Sequence, residues 1–368
     1  MMDKEKPKIL IAAEKERAVY HRFALILKND FDVKEFYAVN SGKTPFILKR
    51  WIFVIKSFKR MLQEFKPSKI LLCGGSLISV FPIIFLIKFK KLDVEIISFR
   101  YDVEYFRPYP KGLIGKVQHF VARKLEKFSL VNSDKIIHKG SRDELQFLPF
   151  YEKIKGKKHY LLKEFLDKEL IQKYYPDAKL SKKDGKLHLA YGGGWYYNNV
   201  ATSDSFFRLY EPLLKNNCHL HVYTEADDDR KKIMKNFEKK YPNFHYEGYI
   251  GREKLVKEYR KYDFGLNFYG FLDKEKNKSI FVKTAFSNKN FDYVAAMLPI
   301  LTNKEAKAKS DFAVKNKIGY SYSLLDYSNP LIYKEIENKN KYNKLIINLK
   351  KFIKKNLDNS DFARFIST

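Results

Sequence analysis

Three groups of residues have the type and spacing to handle a charged, oxygen-rich ligand. Gly192, Gly193 and Gly194 follow an apolar run at Leu187–Tyr191. A backbone without Cβ atoms can lie directly against a phosphate or a sugar there, although the same triplet also serves as a plain turn. Lys289 opens a helical pattern, where free amides and the positive end of a helix favour a diphosphate; a solvated lysine is the alternative. Ser287 is either a cap for that helix or a hydroxyl donor to the same phosphates. Asp102 and Glu104 stand just past the run Val94–Phe99, as a base for a hydroxyl, as acceptor contacts, or as ordinary loop acids. His21 and His138 lie near the ends of expected elements with no role assigned. No His/Asp/Glu set has metal-ligand spacing. Cys73 and Cys218 sit in or beside separate apolar runs, which supports neither a disulfide framework nor a CxxC site and fits a reducing cytoplasm.

The elements that must position these residues alternate between short apolar runs and longer amphipathic stretches, as parallel βαβ units do. Strands are expected at Lys8–Ala13, Phe31–Val39, Lys69–Cys73, Val94–Phe99 and Asp134–Ile137. From Ile47 to Phe65, apolar residues recur every three or four positions, the mark of a helix with one inward face. Gly74, Gly75 and Ser76 end a strand before a helix, where open α/β sheets place ligands. A helix over Lys116–Leu130 carries Val117, Phe120, Val121, Leu125 and Phe128 on one face, and Ser141 reads as the cap of the next. The stretch Tyr151–Gly185 is rich in Lys and has no clear strand, so the crossing between domains is expected near it. Strands then resume at Leu187–Tyr191, Leu220–Tyr223, Phe244–Tyr246, Phe264–Phe268 and Pro299–Leu301. The tail from Tyr333 to Phe365 is helical in pattern and basic.

With 368 residues, 45% of them hydrophobic and 16% aromatic, the chain has material for two filled α/β cores. The domains are expected at residues 1–170 and 171–344, with a helix at 345–368 that either ends the second domain or packs back on the first. A net charge of +29 suits nucleic acid, an anionic membrane face or phosphate-bearing substrates, and it also follows from an overall abundance of Lys. The charged start offers no apolar core for a signal peptide, so a cytoplasmic location is expected. The window Leu77–Phe89 is too short to cross a bilayer and reads as a buried helix, with lipid contact as the alternative.

Three segments together resemble a known family: Asn243-Phe-His-Tyr-Glu-Gly-Tyr-Ile250, then Leu255 to Asp263, then Lys289-Asn-Phe-Asp-Tyr-Val-Ala-Ala-Met-Leu-Pro299. They resemble the donor-binding domain of glycosyltransferases of the GT-B architecture, over Leu187 to about Asn303. The resemblance implies an α/β fold of two Rossmann-like domains facing a cleft. It implies transfer of a sugar from a nucleotide-sugar donor to a saccharide or lipid-linked acceptor in cell-surface glycan synthesis. No cofactor or metal is implied beyond the nucleotide-sugar substrate. In such proteins the acid of the last segment binds the donor ribose, which by position is Asp292. A carboxylate can accept from two vicinal hydroxyls; alternatively, an acid there only complements the helix dipole. Tyr223 and Thr224, and Gly248, Tyr249 and Ile250, end strands where the family brackets the nucleotide.

Departures from the pattern are visible. The acidic partner expected eight residues before Asp292 falls on Thr284, and Met297 replaces a usual Gly. Trp195, Tyr196 and Tyr197 stand where an Arg and Lys pair often follows the first strand of the domain, and the first strand of the chain runs into Glu14 and Lys15 rather than a Gly-rich loop. Other readings are an epimerase of the same architecture, a non-catalytic sugar-nucleotide binder, and a basic nucleic-acid-binding protein. The last has no recognisable nucleic-acid-binding motif behind it. The surface on which the transferase would work is the inner face of the plasma membrane, as a peripheral protein.

Overall fold

The structure, a computed structural model, describes residues 5–14, 18–38, 47–74, 80–100, 103–106, 112–139, 144–162, 168–194, 205–357 and 360–368. The expectations placed on Lys15, Gly75, Ser76, Asp102, Ser141 and Trp195–Tyr197 lie outside the described residues. The chain divides into two compact units, Met1–Lys163 with Asn359–Thr368, and Glu164–Asp358.

The first unit is a parallel sheet of order β2-β1-β3-β4-β5-β6, formed by β1 (Lys8–Ala13), β2 (Asp32–Tyr37), β3 (Lys69–Cys73), β4 (Glu95–Arg100), β5 (Lys135–His138) and β6 (Lys158–Leu161). Its helices are α1 (Ala18–Leu27), α2 (Ile47–Phe65), α3 (Val80–Phe89) and α4 (Leu113–Asn132). β1 and β3 are almost wholly buried apolar runs, as strands covered on both faces must be. β6 falls in the Lys-rich stretch that shows no strand in the sequence. It is an edge strand paired with β5 alone, with its first residues exposed, so it needs no apolar run.

The terminal helix Ser360–Ser367 packs on this first unit. Phe362 stacks on Phe23 at 5.2 Å and meets Tyr160 at 5.6 Å, and Lys135 Nζ donates to the Ile366 carbonyl at 3.2 Å.

Helix α4 departs from its apolar periodicity. Leu113, Ile114, Val117 and Phe120 are 78%, 76%, 55% and 54% exposed, while His119, Glu126 and Ser129 are buried. Polar partners decide this. Glu126 accepts from the Tyr105 amide at 2.9 Å, and the Ser129 hydroxyl bonds the Ser98 hydroxyl at 2.9 Å. In α3, Ile83, Ile84, Leu86 and Ile87 are buried while Phe85 and Phe89 face outward, stacked at 5.7 Å.

The second unit has a parallel sheet of order β12-β11-β10-β7-β8-β9. Its strands are β7 (His188–Gly192), β8 (His219–Tyr223), β9 (Phe244–Gly248), β10 (Phe264–Leu266), β11 (Ile300–Asn303) and β12 (Gly319–Tyr322). The helices are α5 (Ser181–Asp184), α6 (Phe206–Lys215), α7 (Asp228–Lys240), α8 (Arg252–Glu258), α9 (Ile280–Thr284), α10 (Lys289–Ala295), α11 (Lys307–Lys315), α12 (Leu331–Ile336) and α13 (Lys339–Asn356). Strand order reverses between β7 and β10, so the crevice at their carboxyl ends is the topological switch point of this sheet. α13 stays with this unit, through Leu345, Ile346, Leu349 and Ile353.

Both architectures are α/β with parallel sheets, as expected from the alternating runs. Among the elements the sequence did not supply are β6, β12, α1, α5, α6, α7, α9 and α11.

Candidate functional site

Helix α10 is set against the switch point by one close approach. A Cβ on Gly265 of β10 would lie 2.4 Å from the Tyr293 ring, so only glycine lets that ring lie on the strand. The Tyr293 hydroxyl then donates to the Leu266 carbonyl at 2.9 Å, and the Ala190 carbonyl lies 3.3 Å from it. Complete burial pushes the Tyr293 phenol well above its ordinary pKa, so it stays a neutral donor that fixes the helix across β7 and β10. The other end of α10 is held by Leu298 N–H to the Tyr293 carbonyl at 2.9 Å, with Met297 at φ 57°. A left-handed backbone explains why glycine is usual there. Met297 is 3% exposed, so burial of its side chain offsets the strain.

This placement brings the expected residues together. Gly193, at φ 123°, donates its amide to the Tyr223 carbonyl at 3.0 Å. A Cβ on it would lie 2.6 Å from Lys289 Cε, so the glycine turn and the lysine share one spot although 96 residues separate them. The Lys289 ammonium rests 4.1 Å from the Tyr191 ring centroid, and its amide donates to the Ser287 hydroxyl at 3.3 Å. One turn on, Asp292 Oδ1 accepts from Arg252 Nε at 2.8 Å and from Nη2 at 2.6 Å. Arg252 opens α8, one residue beyond the stretch Gly248, Tyr249 and Ile250, and it is the residue the sequence reading missed. Its only signal was its place at the start of a helix.

The remaining residues sort differently. Gly192 ends β7, where a Cβ would meet the Tyr259 hydroxyl at 1.9 Å, so this glycine makes room for a core tyrosine. Gly194 accepts from the Tyr191 hydroxyl at 2.5 Å. Tyr223 is spent in the core: its hydroxyl bonds that of Tyr262 at 2.5 Å, and burial raises its pKa to about 12. Only its carbonyl reaches the glycine turn. Thr224 is buried and donates its amide to the Gly248 carbonyl at 2.9 Å, which ties β8 to β9. Gly248 has φ 75°, Tyr249 is 70% exposed, and Ile250 packs partly buried against the core. Thr284 is buried and bonds the Ile280 carbonyl at 2.9 Å, so no carboxylate stands at the place of the second acid. Glu104 begins a short 3-10 turn, Glu104–Phe106, in the first unit.

A second polar assembly lies at the opposite end of β7 and β8, where these strands begin. Register pairs His188 with His219 and His221 with His245, so these rings share one sheet face. Burial lowers the pKa of His188, His221 and His245, and brings His219 to about 4. Among the described residues, Asp184, His188 and His219 offer ligand atoms within 4.8 Å of one another. Sequence spacing gave no sign of this set, because the strand register assembles it.

Solved structures share this fold over nearly the whole chain. Sucrose-phosphate synthase from Thermosynechococcus elongatus is 12% identical, with 98% of each chain covered and a TM-score of 0.66. The Anabaena protein HepE in complex with UDP is 11% identical, with 98% of this chain and 99% of that one covered and a TM-score of 0.62. A UDP-N-acetylglucosamine 2-epimerase is 9% identical, with 93% and 91% covered and a TM-score of 0.56. The fold is that of the GT-B glycosyltransferases. No curated protein matches the chain in sequence. The family described as "Glucosyltransferase 3-like, C-terminal domain" matches residues 205–366.

Proposed function

We propose that the chain transfers a sugar from a uridine diphosphate donor to a saccharide or lipid-linked acceptor in cell-surface glycan synthesis. The observation that carries this reading is the convergence of Gly193, Lys289 and the Arg252–Asp292 pair at the β7–β10 switch point. Lys289 supplies positive charge to the diphosphate, and Gly193 lets the phosphate oxygens approach the backbone. Asp292, oriented by Arg252, accepts from the ribose hydroxyls, and Gly248 to Ile250 border the base. That HepE is solved in complex with UDP supports a uridine donor. In the reaction the acceptor oxygen bonds the anomeric carbon, the bond from that carbon to the diphosphate oxygen breaks, and a base takes the acceptor proton. Asp102 and Glu104 are proposed for that base or for acceptor contact.

Transfer is favoured over epimerisation because the histidines of the second unit gather where β7 and β8 begin, away from the switch-point crevice. The exposed apolar face of α4, with Lys116 and Lys124 beside it, suits an anionic membrane surface and therefore a lipid-linked acceptor. No described helix is long and apolar enough to cross a membrane, so the proposed attachment is peripheral, on the cytoplasmic face.

The test is thermal melting with UDP-, GDP-, ADP- and CMP-sugars, repeated with Asp292→Ala. A donor at 100 times its dissociation constant adds about 2.7 kcal/mol of stability. A rise confined to UDP-sugars and absent in the variant is the expected outcome. No rise with any donor, alongside salt-dependent nucleic-acid binding, would sink the reading.

A further inference from the structure

The histidine assembly at the start of β7 and β8 has a hydrogen-bond count that does not close. Asp184 Oδ2 lies 3.0 Å from His188 Nε2, His188 Nδ1 lies 3.0 Å from His221 Nε2, and His221 Nδ1 lies 2.8 Å from Glu247 Oε1. Each of these three contacts needs one hydrogen. The carboxylates at the two ends bring none, and two neutral imidazoles bring one each. One cation is therefore missing from the chain, and Glu247 at the far end orients the two N–H groups so that the gap falls between Asp184 and His188.

A third ligand atom points to the same gap. His219 Nε2 is buried and has no hydrogen-bond partner, and it lies 3.8 Å from Asp184 Oδ2. The other nitrogen of that ring is 3.0 Å from His245 Nε2, which leaves Nε2 as the lone-pair atom when His245 accepts. Asp184 Oδ1 accepts from the Lys186 amide at 3.0 Å, which turns Oδ2 toward the rings.

We infer that Asp184, His188 and His219 form a binding site for one divalent transition-metal ion, with zinc the best match. Two ligands about 2.0 Å from a tetrahedral zinc stand about 3.3 Å apart; Asp184 Oδ2 lies 3.0 and 3.8 Å from the two imidazole nitrogens, on either side of that value, and all three ligand atoms lie within 4.8 Å of one another. Two imidazoles and a carboxylate, with water as the fourth ligand, are a zinc donor set. The second-layer bonds are present as well: His188 leans on His221 and Glu247, and His219 on His245. Asp184 is 36% exposed in its side chain and gives the ion a route in from solvent. The ion would staple the short helix α5 to the first residues of β7 and β8. This role is independent of the donor reading, since the glycine turn closes the other end of β7.

The experiment uses the full chain without a histidine tag, stripped of metal and titrated with zinc sulfate near pH 7.5 by calorimetry. One zinc per chain and a higher melting temperature with zinc are expected. His219→Gln and Asp184→Asn should each weaken binding at least about tenfold, and Glu247→Gln, which touches no ion, by about 10- to 100-fold. The metal-free melting temperatures of these variants show whether they fold. Cobalt(II) should give the visible bands of a four-coordinate site in the wild type and lose them in His219→Gln. No zinc uptake by the wild type, or equal uptake by the wild type and all three variants, overturns the inference. In the first case a proton completes the chain instead.

Discussion

Adding one methyl group at Gly193 tests whether the glycine turn and Lys289 act as one device. In Gly193→Ala the new Cβ would sit 2.6 Å from Lys289 Cε, and the residue would have to hold φ 123°. The backbone strain costs about 1–3 kcal/mol of stability. The lysine stem is flexible, so the chain should still fold with its ammonium displaced. If that ammonium meets the diphosphate, losing a charge-assisted hydrogen bond costs about 1.5–3 kcal/mol of binding, or roughly 10- to 150-fold in Kd. Calorimetric titration with UDP measures the binding loss, and thermal melting separates it from stability. Lys289→Ala alone should lose a similar amount. The double variant should bind no more than about 0.5 kcal/mol worse than Lys289→Ala, since the two changes remove the same contact. UDP binding that is unchanged in Gly193→Ala, or fully additive losses in the double variant, would refute the coupling.

Other consequences follow from the same geometry. Gly265→Ala forces a Cβ into the Tyr293 ring and should destabilise the chain by about 2–3 kcal/mol while weakening UDP binding through α10; a well-folded variant with normal affinity contradicts that placement. Asp292→Asn should abolish a preference for UDP over its 2′-deoxy analogue, measured by competition, whereas Asp292 serving only the helix dipole predicts the same preference in both proteins. Burial lowers the Lys179 ammonium to a pKa of about 8, with the nearby Asp263 carboxylate opposing the shift. Its folded pKa lies below the unfolded value, so the unfolded chain binds more protons and stability rises as pH climbs from about 8 toward 10.5, by up to about 3 kcal/mol. Lys179→Met should flatten that rise in urea unfolding, and superimposable profiles would exclude Lys179 as its source. Changing Leu113, Ile114, Val117 and Phe120 together to Ser should abolish flotation with anionic vesicles without lowering the melting temperature, because these side chains are exposed. Retained flotation would remove α4 from the membrane reading.

Much of the fold was legible because burial on both faces of a parallel sheet leaves continuous apolar runs. Lys8–Ala13, Lys69–Cys73 and the helix Ile47–Phe65 appear in the structure with the bounds the sequence suggests. β6 was not legible, since an edge strand can be built from Lys158, His159, Tyr160 and Leu161 with no apolar run at all. The inward face of α4 was misread for a related reason. Periodicity registers apolar spacing, whereas Glu126 and Ser129 are buried by hydrogen bonds to partners elsewhere in the chain.

By itself, the sequence determined the class of fold, the switch-point glycines and the helix that carries Lys289 and Asp292, because these depend on local period and local backbone freedom. Tertiary structure decided which of them meet. Gly193 reaches Lys289 only because Tyr293 lies on Gly265, and Asp292 reaches Arg252 only through the packing of α8 beside α10. The histidine assembly was decided wholly at that level. Its hydrogen-bonded members are 33 and 26 residues apart along the chain, and only parallel register across β7, β8 and β9 turns such separations into contacts of 3 Å.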